Sequence, residues 1–207
     1  ATLSLQENLH DAQDKFKAIL NKTSDHEGAL RGYAQASFNL GDFRAAEEAY
    51  QRLTILFPDN NRYMLNLSIS QINNNHVDEG VKILYRLDYE QPNNIYVQRA
   101  LGWGLMMQKN IEQAIGLYDR LLASEHTIDS DYLNAGYAHW FNRNMAQAVA
   151  CLGKYVSMRS REAQDDSDSL LAQAFDNDRS LLQLNGISAV ESIIMQDIVL
   201  NPSKNDD

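Results

Sequence analysis

The stretch "GDFRAAEEAYQRLTILFPDN", residues 41–60, holds a glycine, a charged turn, a helical run and a closing proline. That proline, Pro58, lies 34 residues before Pro92. Taken as a period, the spacing divides residues 27–162 into four windows without one insertion: 27–60, 61–94, 95–128 and 129–162. The eighth position of each window is small (Ala34, Ser68, Gly102, Gly136), and so is the twentieth (Ala46, Gly80, Ala114, Ala148). The twenty-fourth is large (Tyr50, Leu84, Tyr118, Leu152), as is the twenty-seventh (Leu53, Leu87, Leu121, Tyr155). Phe43, Val77, Ile111 and Met145 share the seventeenth.

Each window contains two runs of helical periodicity. A short polar break separates them: "LGD" at 40–42, "NNH" at 74–76, "QKN" at 108–110 and "NRN" at 142–144. Helices joined by so short a turn are antiparallel neighbours. The small residues let two backbones approach, and the large residue at the twenty-fourth position fills the space beside them. One such pair cannot bury its apolar face alone, so neighbouring pairs must stack to build a core.

The period, the small residues at the eighth and twentieth positions, the aromatic at the twenty-fourth and the closing proline together resemble the tetratricopeptide repeat. The resemblance covers 136 of the 207 residues. It implies an all-α, right-handed superhelical solenoid of antiparallel helix pairs. Two features depart from the family pattern. The tryptophan of its fourth position is Leu30, Met64, Gln98 and Tyr132, and the closing proline is His126 and Ser160 in the last two windows.

At the N-terminal end, Ala12, Phe16 and Ile19 fall on the twentieth, twenty-fourth and twenty-seventh positions of the same frame. Residues 1–26 therefore read as a capping helix or as the second helix of a partial repeat. The second reading places further repeats upstream, and Ala1 in place of methionine suggests a trimmed chain. Residues 163–207 leave the frame and read as acidic C-terminal capping helices, with 166–184 the candidate for the polar cap that a repeat array needs. "DSDSLLAQAFDNDRSLLQL" at 166–184 reads as one helix with an acidic first turn, which suits the helix dipole, and "NG" at 185–186 stops it. "SAVE" at 188–191 is a capping-box sequence opening a second helix to about Leu200. "NPSKNDD" reads as a frayed end. The final helix is rich in branched apolar residues (Ile187, Val190, Ile193, Ile194, Ile198, Val199, Leu200) and is expected to bury that face.

Charge narrows the classes of partner. The formal net charge is −10. Residues 163–207 carry two basic and nine acidic residues, a net of −7, against −3 for the rest. No basic stripe is present to neutralise phosphates or anionic lipid, which argues against nucleic acid and membrane surfaces. No stretch approaches the ~20 apolar residues of a spanning helix, so membrane insertion is not expected. Cys151 is the only cysteine. It rules out an intrachain disulfide, weakly favours a reducing, cytoplasmic setting, and reads as a small buried hydrophobe.

No catalytic constellation emerges, and no cofactor or metal is expected. No two of His10, His26, His76, His126 and His139 have metal spacing on one helix face. "GWG" at 102–104 lacks the third glycine of a dinucleotide loop. "DDSDS" at 165–169 and "DNDRS" at 176–180 lack the glycine and glutamate of a calcium loop.

The resemblance implies instead a non-enzymatic protein-interaction scaffold that binds a peptide or helix in its concave groove. Family ligands meet the first helix of each pair. The candidate residues here are Arg31; Arg62 and Asn66; Tyr96, Arg99, Trp103, Met106 and Met107; Asn134, Tyr137, Trp140 and Phe141. The first half is polar and mildly basic, with the arginines suited to acidic or carbonyl groups. The second half is aromatic and suited to apolar anchors. The family's carboxylate clamp is incomplete in every register. Two alternatives stand beside this reading. One is a secretion-type chaperone for an apolar segment of an exported protein. The other is a structural or self-assembling module, a possible homo-oligomer, whose groove is filled by its own C-terminal helix.

Overall fold

A computed structural model describes residues 2–163 and 167–201. Among them lie twelve helices and no strands. They are α1 (Thr2–Leu20), α2 (Glu27–Asn39), α3 (Phe43–Leu56), α4 (Asn61–Asn73), α5 (Val77–Glu90), α6 (Ile95–Met107), α7 (Ile111–Leu122), α8 (Asp129–Phe141), α9 (Met145–Ala163), α10 (Ser167–Asn177), α11 (Arg179–Leu184) and α12 (Ala189–Leu200). Each of the four windows thus holds one helix pair. The chain forms two compact units, residues 1–97 and 98–207.

The turn inside each pair repeats with the same period. Gly41, Asn75, Lys109 and Arg143 all have positive φ, between 60° and 78°. The residue after each donates its backbone N–H to a carbonyl five residues back: Asp42 to Ser37, His76 to Gln71, Asn110 to Leu105 and Asn144 to His139, at 2.8–2.9 Å. This is the Schellman closure, which satisfies a carbonyl the helix end would leave open. Only Gly41 adopts the left-handed conformation without a Cβ penalty. Asp42 then caps α3 by accepting from the Ala45 amide at 3.1 Å.

In the first unit α1 packs on α2, α2 on α3, α3 on α4 and α4 on α5. Ala34, Ala46, Ser68, Leu53, Leu84 and Leu87 are fully enclosed. Pro58 and Pro92 follow the ends of α3 and α5. Two residues further on, Asn60 and Asn94 accept from backbone amides of α4 and α6.

In the second unit α7 packs on α8 and α8 on α9, while α10 and α12 both pack on α9. A Cβ on Gly102 would lie 2.8 Å from the Tyr118 ring, so glycine sets the approach of α6 to α7. The windows without a closing proline end differently. In the third, the Ser124 and Thr127 hydroxyls hold the loop 123–128 by donating to carbonyls of Leu121 and Ser124. In the fourth, nothing stops the helix near Ser160, and α9 continues to Ala163.

Two expectations for the C-terminal end are corrected. The single helix read over 166–184 is two, broken at Asp178. The final helix buries only part of its apolar surface: Met195 is enclosed and Ile198, Val199 and Leu200 are half-buried, but Val190, Ile193 and Ile194 are exposed. The stop at 185–186 and the capping box are present. Gly186 has φ +81°, Ser188 Oγ accepts from the Glu191 amide at 3.2 Å, and Glu191 Oε2 accepts from the Ser188 amide at 2.8 Å. The segments around 164–166 and 202–207, which include part of "DDSDS" and most of "NPSKNDD", lie outside the described residues.

Candidate functional site

The first unit carries a pocket of about 570 Å³ lined mostly by polar residues. The first turns of α4 supply Arg62, Leu65 and Asn66, and the start of α6 supplies Tyr96. Gln91 and Asn94, from the loop between α5 and α6, complete it. Arg62, Asn66 and Tyr96 are sequence candidates brought together here.

Arg31 reaches the same neighbourhood from α2. Burial raises the pKa of the Tyr50 hydroxyl, and Arg62 and then Arg31 oppose the shift, with Asn66 beside the same hydroxyl. Arg31 also lies beside the Tyr63 hydroxyl, which donates to Glu27. Neither guanidinium forms an ion pair with a carboxylate among the described residues. The lining of the pocket holds Arg62 and no carboxylate, in a protein of net charge −10. Sequence reasoning missed Gln91 and Asn94. The signal for Asn94 was its place in the frame, 34 residues after the capping Asn60.

The second unit uses its candidates otherwise. Arg99 donates from Nε and Nη2 to the two carboxylate oxygens of Asp131, at 2.8 and 2.7 Å. Its Nη2 also donates to the His126 carbonyl at 2.8 Å. Asp131 is fully buried. The expected role of Arg99 as a hand for a partner's carboxylate is thus corrected: the chain's own aspartate already holds it.

The aromatic cluster is corrected in the same sense. Tyr137 is 0% and Trp140 2% exposed. Phe175 of α10 lies over both, with ring centroids 6.0 Å from Tyr137 and 5.4 Å from Trp140. Phe141 stacks on Tyr137 at 6.2 Å and is half-buried. The Tyr137 hydroxyl donates to Asp178 Oδ2 at 3.0 Å. Burial, and then Asp178, push that hydroxyl far above its usual pKa. Burial also raises the Asp178 carboxyl, while the hydrogen bond from Tyr137 lowers it. Met106 is fully buried, and its carbonyl accepts from Asn185 Nδ2 at 3.3 Å. Asn134 lies beside the enclosed Tyr118 hydroxyl. Trp103 and Met107 remain half-buried on α6.

Asn66 with Tyr50 and Asn134 with Tyr118 recur at twice the period, and the register between them has Leu84 and Ala100 instead. Asparagine is present where the preceding twenty-fourth position has a hydroxyl, so Asn66 and Asn134 each have a packing partner within the chain. Among the described residues no group of three histidines, cysteines or acids could hold a metal, and no helix is long and apolar enough to cross a membrane.

A family model for the tetratricopeptide repeat matches residues 3–67, which run from α1 into α4. No curated protein sequence matches the chain. Solved structures match its fold at low identity. One is TTC0263, a thermophilic tetratricopeptide repeat protein of Thermus thermophilus, at 15% identity and TM-score 0.63 over 88% of this chain and 94% of that one. A second is a tetratricopeptide repeat protein of Parabacteroides merdae, at 12% and 0.64 over 96% and 80%. A third is YrrB, described as a tetratricopeptide repeat protein "with an unusual peptide-binding site", at 15% and 0.57 over 76% and 81%. The family match over residues 3–67, the 34-residue frame and the helix pairs built upon it give the chain the fold of a tetratricopeptide repeat protein.

Proposed function

We propose that the chain is a non-enzymatic protein-interaction module whose first unit receives a peptide bearing carboxylate or carbonyl groups. The observation that carries this reading is the pocket at Arg62, Asn66 and Tyr96, with Arg62 and Arg31 lacking a carboxylate partner among the described residues. Arginine recognises carboxylates by paired hydrogen bonds. Asn66, Gln91 and Asn94 offer donors and acceptors to a peptide backbone, and the exposed Tyr96 ring offers an anchor of the kind that dominates interfaces. A fold neighbour described as having a peptide-binding site is in keeping with this reading.

For the second unit a structural role is favoured, because Phe175 covers Tyr137 and Trp140. The apolar positions that face ligands elsewhere in the family would here seat the chain's own α10.

Capture on an immobilised acidic peptide tests the proposal. Arg62→Glu should weaken capture by about tenfold or more, the scale of losing a charge-assisted pair of hydrogen bonds. Arg44→Glu, on the exposed face of α3, should leave it unchanged. An Arg62→Glu protein that captures the peptide as well as wild type would sink the assignment.

A further inference from the structure

The outer face of α12 carries Val190, Ile193 and Ile194, exposed by 65%, 68% and 52%. Their spacing of three and four places them on one stripe of the helix. Ile193 also lines a cleft of about 350 Å³, whose apolar wall includes Phe175, Leu182 and Ile187. Ile193 belongs to both stripe and cleft. The helix that carries it is fixed. Met195 is enclosed on its inner side, the capping box closes its first turn, and Arg143 Nη1 donates to Glu191 Oε1 at 3.2 Å. Branched apolar side chains held on a rigid helix, beside an open cleft, are the anchors a second helix packs on.

Charge selects what covers it. Of the carboxylates around the surface, Asp176 pairs with Arg179 and Glu191 with Arg143. Asp197, one turn beyond Ile193 and Ile194 on the same stripe, has no cation among the described residues; it accepts only from Asn201. Residues 163–207 as a whole carry a net of −7. A second copy pairing through α12 would bring two such segments together, and an anionic lipid surface would be repelled as well. We propose that the outer face of α12 docks a cationic amphipathic helix of a partner protein, its apolar side on Val190, Ile193 and Ile194 and a basic residue at Asp197. The site is separate from the pocket of the first unit and does not depend on it.

A labelled helical peptide about five turns long, leucine on one face and lysine on the other, serves as the probe for fluorescence anisotropy. A matched peptide has glutamate for lysine. The lysine peptide should bind at least about tenfold more tightly, with affinity falling as salt rises. Ile193→Asp should reduce binding about tenfold without loss of fold, since the side chain is exposed. Asp197→Lys should narrow the preference between the two peptides. Ile55→Ser, removing an exposed isoleucine on α3, should change nothing, and Arg62→Glu should also leave binding intact. Equal binding of the two peptides overturns the proposal, as does unchanged binding by Ile193→Asp. So does a dimer in sedimentation that Ile193→Asp dissociates, or binding to anionic vesicles that Ile193→Asp abolishes.

Discussion

Single residues carry the turn geometry, and three of them carry it at a cost. Asn75, Lys109 and Arg143 occupy the conformation that Gly41 adopts freely. Lysine and arginine in that region pay roughly 1 kcal/mol through the clash of Cβ with the following carbonyl. Lys109→Gly should stabilise the chain by about 0.5 kcal/mol in urea unfolding, a gain reduced by the freedom glycine adds to the unfolded state, and Arg143→Gly by less, because it also removes the pair with Glu191. Loss of stability in both would contradict the turn assignment. The Arg99–Asp131 pair sets the opposite case. Asp131 is fully buried, so Arg99→Met should leave an uncompensated charge and cost about 3 kcal/mol or more. Restoring neutrality with Asp131→Asn in the same chain should recover part of that loss, which a double-mutant cycle reads directly.

At the scale of elements, the helix pairs were legible because a 34-residue period repeats the small residues that let backbones approach. The short breaks between helices are likewise visible as polar triplets. The division of 166–184 was not legible, because "FDNDRSLL" contains no glycine or proline, and the partner of Asp178 at the break lies far away in sequence. Tyr137, forty-one residues earlier, donates to the Asp178 carboxylate. Burial raises that carboxyl in the folded chain. A raised carboxylate contributes stability below its unfolded pKa and loses it as pH rises through the folded value. At neutral pH the ionised form is therefore a cost. Asp178→Asn should be at least as stable as wild type at neutral pH, and the difference should shrink as the solution is acidified. Urea unfolding across a pH series measures it, and a neutral-pH variant clearly weaker than wild type would show that the ionised carboxylate stabilises the junction.

For the molecule as a whole, the C-terminal helices divide into a buried part and a displayed part, and the sequence pointed only to the final helix as one to be buried. Composition pointed to the final helix as the one needing cover, since it has the densest run of branched apolar residues. Packing instead seats α10 through Phe175, Leu170 and Leu171, all buried. Leu170, Leu171, Ala174 and Phe175 recur at helical spacing, but nothing in that pattern said that they would seat on Tyr137 and Trp140. Two truncations separate the roles. Ending the chain after Ile187 removes α12 and its enclosed Met195; it should cost about 2–3 kcal/mol, the burial of one large side chain, and leave the emission of Trp140 unshifted. Ending it after Ala163 removes α10 and α11 as well, uncovering Tyr137 and Trp140. That chain should lose several times as much stability, since each fully buried apolar side chain contributes roughly 1.5–3 kcal/mol, and its tryptophan emission should move to the red. Trp103 also reports, so the comparison is made in a Trp103→Phe background. An unshifted spectrum in the shorter chain would mean that α8 buries its aromatics without α10, and the apolar positions of the second unit would then be open to a partner after all.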